Sequence, residues 1–490
     1  MRTGKEHLTI LSEAEQSALY DLPEYDNEQR LEYLNLTQEE FQIALSRNGL
    51  SNQVYCILQI AYFKAVKMFF RIAWEQTDSV DIDFILQQYF QSQALIPKVI
   101  SKYEHYIQCS KITSFFGYTQ WTQADELLLF SQAKKLINRD INQQFIALGL
   151  LDYLQSKKII RPGYTTLQSI ISTVINEERS RLTEIIRHSL SDDDKELLDS
   201  IIAEDEILSK LAALKQDAKD FKPQMMIAER KKLETLRPIY TIIKQLMPTL
   251  KLSQQNLHYY ANLINYYTIY DLRKKLKSEQ SYLYIMCYCW KRFQQISDNL
   301  VSAFIFFFKH IEDEINMLTN LKLTDHVMSQ REEFVVMKRL VQLYVNNELP
   351  DEMNFGLVRE KAFEILPKED IINKVSTIDK KQITQDENFY WQVTDNFKRR
   401  ITSNLRHLVG ALNFSSTNSE NKWMFALQWI KTSFLQPKRL APLIEDCIEK
   451  TIPLKLWPYL ITNHSEHPYK INLPRYEFWI YKQLNKGFGE

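Results

Sequence analysis

The sequence predicts an all-α protein built from several helical domains. Glycine is scarce, with 9 in 490 residues against a usual share of about 7%, and so few glycines cannot supply the turns of a large β protein. The chain is rich in leucine, isoleucine, glutamine, lysine and glutamate, which are mostly good helix formers. Because 490 residues exceed what one hydrophobic core usually serves, we expect three or four domains.

Helix starts are marked at several points along the chain. Four pairs have the spacing of a capping box, in which each residue satisfies the other's free backbone N–H: Ser12 with Glu15, Thr37 with Glu40, Thr122 with Asp125, and Ser191 with Asp194. Apolar residues then recur at intervals of three and four from Val54 through Phe69 to Ile72. This spacing predicts one long helix.

Helix breakers divide the chain into four predicted domains. A first helical domain would span 1–120 and end at Phe116-Gly117-Tyr118, and a second would span 121–222. A middle region of long helices would follow at 223–345, and a region with short, proline-limited helices at 346–490. No repeat of 20 to 50 residues recurs, which argues against a regular solenoid.

Signatures of catalysis and metal binding are absent from the sequence. It contains no glycine-rich phosphate loop, no G-x-S-x-G and no H-E-x-x-H, so we expect no cofactor. His464 and His467 are three residues apart and have no cysteine nearby. The acidic runs Asp192–Asp194 and Glu204–Glu206 are better explained as helix starts or loops. The five cysteines form neither a zinc ribbon nor a disulfide framework, which indicates reduced thiols: Cys56, Cys109, Cys287, Cys289 and Cys447.

The charge balance limits the partners and the location. Lysine plus arginine and aspartate plus glutamate both number 61. A neutral total argues against coating of nucleic acid over the whole surface, but it allows a local basic surface. The N-terminus shows no signal peptide, and the most apolar stretch, Val301–Phe308, is far shorter than the ~20 residues of a membrane span. We therefore expect a soluble cytoplasmic protein with no membrane partner.

Clusters of basic residues are the most informative feature for function. Lys64, Lys67 and Arg71 are spaced as neighbours on one side of the predicted helix. Cationic side chains on several helices can neutralise phosphates along a DNA duplex. The alternative is an ordinary solvated face whose cations pair with glutamates. The other candidates for DNA contact in these clusters are Lys157, Lys158, Arg161, Arg179, Arg181, Lys398, Arg399 and Arg400.

Several short motifs, in order along the chain, resemble the N-terminal half of Tn-three family (class II, replicative) transposases. The motifs are Ile10–Glu15 closing on Leu22-Pro23, Arg47 before the helix Val54–Tyr62, Tyr103–Tyr118, Ile160–Leu167, Ile452-Pro453 with Trp457–Tyr459, and Arg475–Phe478. Arg47 joins the DNA-binding candidates because the family has a basic loop at this place. The chain departs from the family at Phe63–Lys67, where an Arg-x-Pro-Gly turn is usual. There the helix is expected to run on and the local DNA contact to differ.

The resemblance implies DNA recognition without catalysis. In this family, helical N-terminal domains recognise the terminal inverted repeats, and a helical middle region contributes to dimer assembly. The resemblance therefore implies that 1–120 and 121–222 are DNA-binding domains and that 346–490 is a helical scaffold and dimerisation region. A later RNase H-like domain holds three carboxylates and two metal ions. The chain reaches Glu490 where that domain would begin, and no acidic triad can be carried over.

From this we expect a nucleoid-associated, non-enzymatic part of a transposase with helix-turn-helix-like modules. Its partners would be double-stranded DNA and either a second copy or a separately encoded catalytic half. The alternative is a helical protein-interaction scaffold with no DNA role.

Overall fold

The computed structural model confirms an all-α fold. It describes residues 8–203, 209–218, 220–345, 350, 352–378, 386–415, 422–433, 451–462 and 470–488. Within those ranges there is no β-strand, only isolated bridges between Thr119 and Ile159 and between Ile461 and Ile471.

The chain divides into two compact units. The first comprises Met1–Ala212 with Ile239–Lys291, and the second Ala213–Pro238 with Arg292–Glu490. The predicted domain boundaries at residues 120, 222 and 345 stay predictions. The helices up to the unit boundary are α1 Glu13–Tyr20, α2 Asn27–Tyr33, α3 Gln38–Leu45, α4 Leu50–Val66, α5 Ser79–Tyr89, α6 Lys102–Phe115, α7 Gln123–Ile137, α8 Gln143–Ser156, α9 Tyr164–Ser189, α10 Asp192–Asp199 and α11 Lys210–Lys215.

The remaining helices include the two longest. They are α12 Pro223–Leu250, α13 Gln254–Leu263, α14 Ser278–Tyr344, α15 Phe355–Ile365, α16 Lys368–Ile378, α17 Asp386–Asn396, α18 Lys398–Ile401, α19 His407–Ala411, α20 Lys422–Ser433, α21 Trp457–Leu460 and α22 Leu473–Gly487. The long helices predicted for the middle region are thus present, and α14 alone has 67 residues.

The predicted helix starts are confirmed. The hydroxyls of Ser12, Thr37 and Ser191 each accept the N–H three residues on, and the partner carboxylates accept the N–H of the capping residue. At α7 the N–H of Thr122 donates to Asp125 at 2.8 Å. These reciprocal bonds satisfy backbone donors that the first turn of a helix leaves free.

Helix α4 is the central element of the first unit. Every residue from Val54 to Phe63 is buried, and α1, α2, α3, α5 and α6 all pack against this helix. A helix that is buried on all sides has no solvent-facing stripe, which is why its apolar residues are nearly continuous.

The helix does run past Phe63, but the expectation that it continues to Ile72 is wrong. The helix ends at Val66, and Lys67 has the left-handed conformation, with φ 54°. The side chain of the buried Gln59 turns the chain back, because its amide donates to the Phe70 carbonyl at 2.7 Å and accepts the Phe70 N–H at 3.2 Å. Phe69 then stacks on Phe63, with ring centroids 5.0 Å apart.

An ion pair in the second unit joins the half-buried Arg406 to the buried Glu477. Arg406 donates to both carboxylate oxygens of Glu477, at 3.0 and 2.5 Å. Glu477 lies on α22 with only 1% of its side chain exposed, and it also accepts the hydroxyl of Tyr481 at 2.7 Å. With three donors around it, the buried carboxylate is well satisfied.

Candidate nucleic-acid interface

Three of the residues predicted to contact DNA lie together at the C-terminal end of α4: Lys64, Lys67 and Arg161. The ammonium of Lys67 donates to the Lys64 carbonyl at 2.7 Å, and the ammonium of Lys64 lies 3.4 Å from Glu40. Burial, followed by the nearby charges of Lys64 and Arg161, lowers the pKa of Lys67. Since the helix ends at Val66, the prediction that Lys64, Lys67 and Arg71 share one side of a helix is wrong.

Arg161 holds this helix end in place. Its guanidinium donates to the Leu19 carbonyl at 3.2 Å and to the Val66 carbonyl. Burial lowers the pKa of Arg161. The carbonyls of the last helical turn have no partner within the helix and favour a cation. The geometry therefore gives Arg161 a structural role.

Most of the other candidates are engaged by neighbouring groups. Arg181 binds Glu178 through two bonds and donates to the Leu250 carbonyl at 2.9 Å. The partly buried Arg179 lies beside Tyr259. Burial raises the pKa of Tyr259, and the charge of Arg179 offsets part of this rise. The remaining ion pairs are Arg47 with Glu104 at 3.6 Å, Lys398 with Asp395 at 3.3 Å, and Arg400 with Glu314 at 2.5 Å.

Four candidates are exposed and have no side-chain partner among the described residues: Arg71, Lys157, Lys158 and Arg399. The first three belong to the first unit, and Arg399 to the second. An exposed cation without a carboxylate partner can exchange its counterions for DNA phosphates without first breaking an ion pair. These four residues are therefore the best-placed of the candidates for contact with DNA.

Lys157 and Lys158 lie next to the end of α6. The Thr119 N–H donates to the Lys158 carbonyl at 2.8 Å, and the Ile160 N–H donates to the Thr119 carbonyl at 3.0 Å. These two bonds join the turn after α8 to the turn after α6. Gly117 lies in the latter turn with φ 68°. A Cβ atom at this position would be 3.8 Å from the Lys158 ammonium, so the lysine side chain passes close to the turn. Two lysines thus flank the C-terminal end of α6.

Arg71 lies near the other half of α6. The Phe70 carbonyl accepts the Tyr55 hydroxyl at 3.3 Å, and that hydroxyl is 3.0 Å from Nδ1 of His105 on α6. Burial, and after it the charge of Arg71, lowers the pKa of His105. We call the outward side of α6, with Arg71, Lys157 and Lys158, the α6 surface. It joins basic residues that are far apart in the sequence.

The shifted pKa of His105 predicts a pH dependence. Because its pKa in the folded protein lies below the ordinary 6.5, the unfolded state binds more protons as the pH falls. The stability from neutral His105 is therefore fully present above pH 6.5 and is lost as the pH falls through the folded pKa, at no more than about 1.4 kcal/mol per pH unit. We expect His105→Gln to flatten the decrease in unfolding free energy between pH 7 and pH 5, measured by denaturant titration. An unchanged pH profile would contradict this.

The acidic residues, histidines and cysteines of the sequence are the possible metal ligands. No cluster of three or more histidine, cysteine or acidic side chains is placed there to hold a metal. Asp194 caps α10 and Asp192 pairs with Lys195 at 2.9 Å. Cys56, Cys109, Cys287 and Cys289 are free and buried, and burial raises the pKa of each thiol. Outside the described residues lie Glu204–Glu206, His464, His467 and Cys447. In the described part, no helix is long and apolar enough to cross a membrane.

Comparison with known families places one domain on this chain. Residues 10–174 are similar to a domain of unknown function, DUF4158. The matched stretch begins just before α1, ends within α9, and contains α6 with Arg71, Lys157 and Lys158. No curated protein matches the chain.

Proposed function

We propose that this chain is the DNA-binding portion of a Tn-three family transposase and recognises the terminal inverted repeats of its transposon. One observation carries the proposal. The domain over residues 10–174 is of a kind typically found in these transposases, and three of the four exposed, unpaired candidates for DNA contact lie within it. In this proposal the chain recognises the transposon ends and does not itself transfer strands. Catalysis belongs to an RNase H-like domain on the same or a separate polypeptide. Double-stranded DNA and a second copy are its proposed partners.

The α6 surface supports binding to the DNA backbone. A helix of 14 residues is about 21 Å long, so cations near its two ends can contact phosphates several nucleotides apart. Each neutralised phosphate releases counterions, and this release gives affinity that falls with salt. A helix-turn-helix-like module within residues 10–174 belongs to the same proposal.

The second candidate function is a protein-interaction scaffold. One observation favours it: the distal half of α14 exposes large apolar residues, among them Val327, Phe334 and Val341, which are 61%, 75% and 59% exposed. They recur every seven residues, the spacing of a coiled-coil seam. The two functions differ in whether the protein binds DNA.

A salt titration distinguishes the two functions. We expect the double variant Lys157→Gln/Lys158→Asn to bind duplex DNA more weakly than the parent chain, whether the duplex is an inverted repeat or random. Asparagine is chosen because Lys158 has φ 54°, a conformation that asparagine tolerates. The slope of log affinity against log salt, measured by fluorescence anisotropy, should fall by about 0.9 for each phosphate that the variant no longer neutralises.

The matched control removes two charges elsewhere. Lys322 and Lys338 are exposed on α14, and Lys322→Gln/Lys338→Gln should leave affinity and slope unchanged. Equal and weak binding of the parent chain to repeat and random duplex would instead support the scaffold function. An unchanged slope for the Lys157/Lys158 variant would remove these two lysines from the interface.

A further inference from the structure

Helix α6 has an outward face that the packing of the first unit does not use. Its inner face buries Gln108, Cys109, Ile112 and Thr113. The opposite face carries Tyr103, Tyr106, Ser110 and Ser114 at helical spacing, all exposed. Tyr103 and Tyr106 are 73% and 60% exposed. None of these four side chains makes a hydrogen bond within the described ranges, so four hydroxyls and two aromatic rings are presented to solvent.

Several exposed cations lie on α6 or near its ends. On α6 itself, Lys102 and Lys111 are exposed at its two edges, and the exposed Lys98 comes just before the helix. Arg71, Lys157 and Lys158 lie near its ends. None of these six has a side-chain partner in the part of the chain that the structure describes.

Acidic residues offset little of the positive charge on α6. Glu104 is the only acid on α6. It faces Arg47 at 3.6 Å and accepts the Gln108 amide at 3.0 Å. The charge that α6 presents outward is therefore positive, which fits a polyanion better than an acidic or apolar face would.

The rest of the unit holds α6 firmly. The amide of Gln108 donates to the Asn52 carbonyl of α4 at 3.2 Å. His105 lies 3.0 Å from the Tyr55 hydroxyl of the same helix. Ser101 caps the N-terminus by accepting the Glu104 N–H at 3.1 Å. A helix fixed at its start and along its inner face can present side chains in a constant geometry, which sequence-specific recognition requires.

We propose that α6 is the recognition helix of this domain and enters the major groove of the transposon end. This inference rests on the proposed function and names the element that carries its specificity. A major groove about 12 Å wide admits one α-helix. The hydroxyls of Tyr103, Tyr106, Ser110 and Ser114 then face base edges. Lys102 and Lys111, on opposite edges of the helix, face the phosphates of the two strands.

Two double variants separate base contacts from phosphate contacts. Tyr106→Ala/Ser110→Ala should weaken binding to the inverted repeat by about 10- to 100-fold, because both side chains lose their contacts to base edges, and should leave binding to random duplex unchanged. Lys102→Gln/Lys111→Gln should weaken binding to both duplexes and lower the salt slope by about 0.9 for each lysine. The control Ser329→Ala/Tyr344→Ala removes an exposed serine and an exposed tyrosine from α14 and should change neither.

Each result supports or overturns the inference. If the parent chain prefers the inverted repeat and Tyr106→Ala/Ser110→Ala keeps that preference, α6 is not the recognition helix, although the proposed function stands. If the parent chain binds no DNA, both the function and this inference fail. Circular dichroism checks the fold of each variant. If the alanine variant loses helix content, Tyr106→Phe, which keeps the ring and removes only the hydroxyl, replaces it under the same criterion with a smaller expected effect.

Discussion

Arg161→Ala is expected to lower the unfolding free energy of the first unit by about 2–4 kcal/mol. The Arg161 guanidinium donates to the carbonyls of Leu19 and Val66, and a hydrogen bond to a charged group contributes roughly 1.5–3 kcal/mol. The substitution leaves two carbonyls without this donor and frees the end of α4. Urea unfolding followed by circular dichroism measures the change. Anisotropy on the folded fraction should show DNA affinity close to that of the parent chain.

The matched control for Arg161 is Arg139→Ala. Arg139 is exposed, and a surface substitution of this kind changes stability by no more than about 0.5 kcal/mol. The opposite pattern, with unchanged stability and a large decrease in DNA affinity, would make Arg161 a DNA contact. That result would contradict the structural role that its two carbonyl bonds indicate.

Arg406→Ala is expected to have the largest effect on the second unit, a decrease of about 3–5 kcal/mol in unfolding free energy. The substitution leaves the carboxylate of Glu477, which is 1% exposed, without its charged partner, and removing one side of a buried pair is costly for this reason. Tryptophan fluorescence during urea unfolding reports the change, since Trp423, Trp429 and Trp479 all lie in this unit.

Two further variants check that interpretation. Arg399→Ala removes an exposed, unpaired cation from the same part of the chain, so its effect should stay within about 0.5 kcal/mol. The double variant Arg406→Met/Glu477→Met removes both charges together and should be more stable than Arg406→Ala. A double variant less stable than the single one would show that the cost comes from poorer packing rather than from an unpaired charge.

The sequence shows where cationic residues occur but not which of them form ion pairs. Arg47 and Glu104 are 57 positions apart in sequence and 3.6 Å apart in the structure. Arg400 meets Glu314 in the same way. Such pairs depend on how helices pack, and no spacing rule within one helix predicts them. Ion pairs at i and i+3 or i+4 within one helix, such as Arg181 with Glu178 and Arg230 with Glu234, were the only kind open to prediction from the sequence.

Two signals in the sequence could have predicted more of the structure. A glutamine in the middle of a continuous apolar helix, Gln59, must find hydrogen-bond partners when it is buried, and those partners are the backbone groups of Phe70 where the chain turns back. Tyr103 and Tyr106 lie inside a stretch that resembles the transposases. Their spacing with Ser110 and Ser114 would have placed four hydroxyls on one helix face.

Local interactions account for what the sequence by itself determined: the helical class, the capping boxes that begin α1, α3, α7 and α10, and the long helices of the middle region. Each depends on residues no more than four apart, so propensity and spacing suffice. Tertiary structure alone decided where α4 ends, which cations stay free, and that Arg71, Lys157 and Lys158 lie around α6. These outcomes depend on side chains such as Gln59 and Arg161, whose partners come from distant parts of the chain. Only packing in three dimensions brings those partners within hydrogen-bond distance.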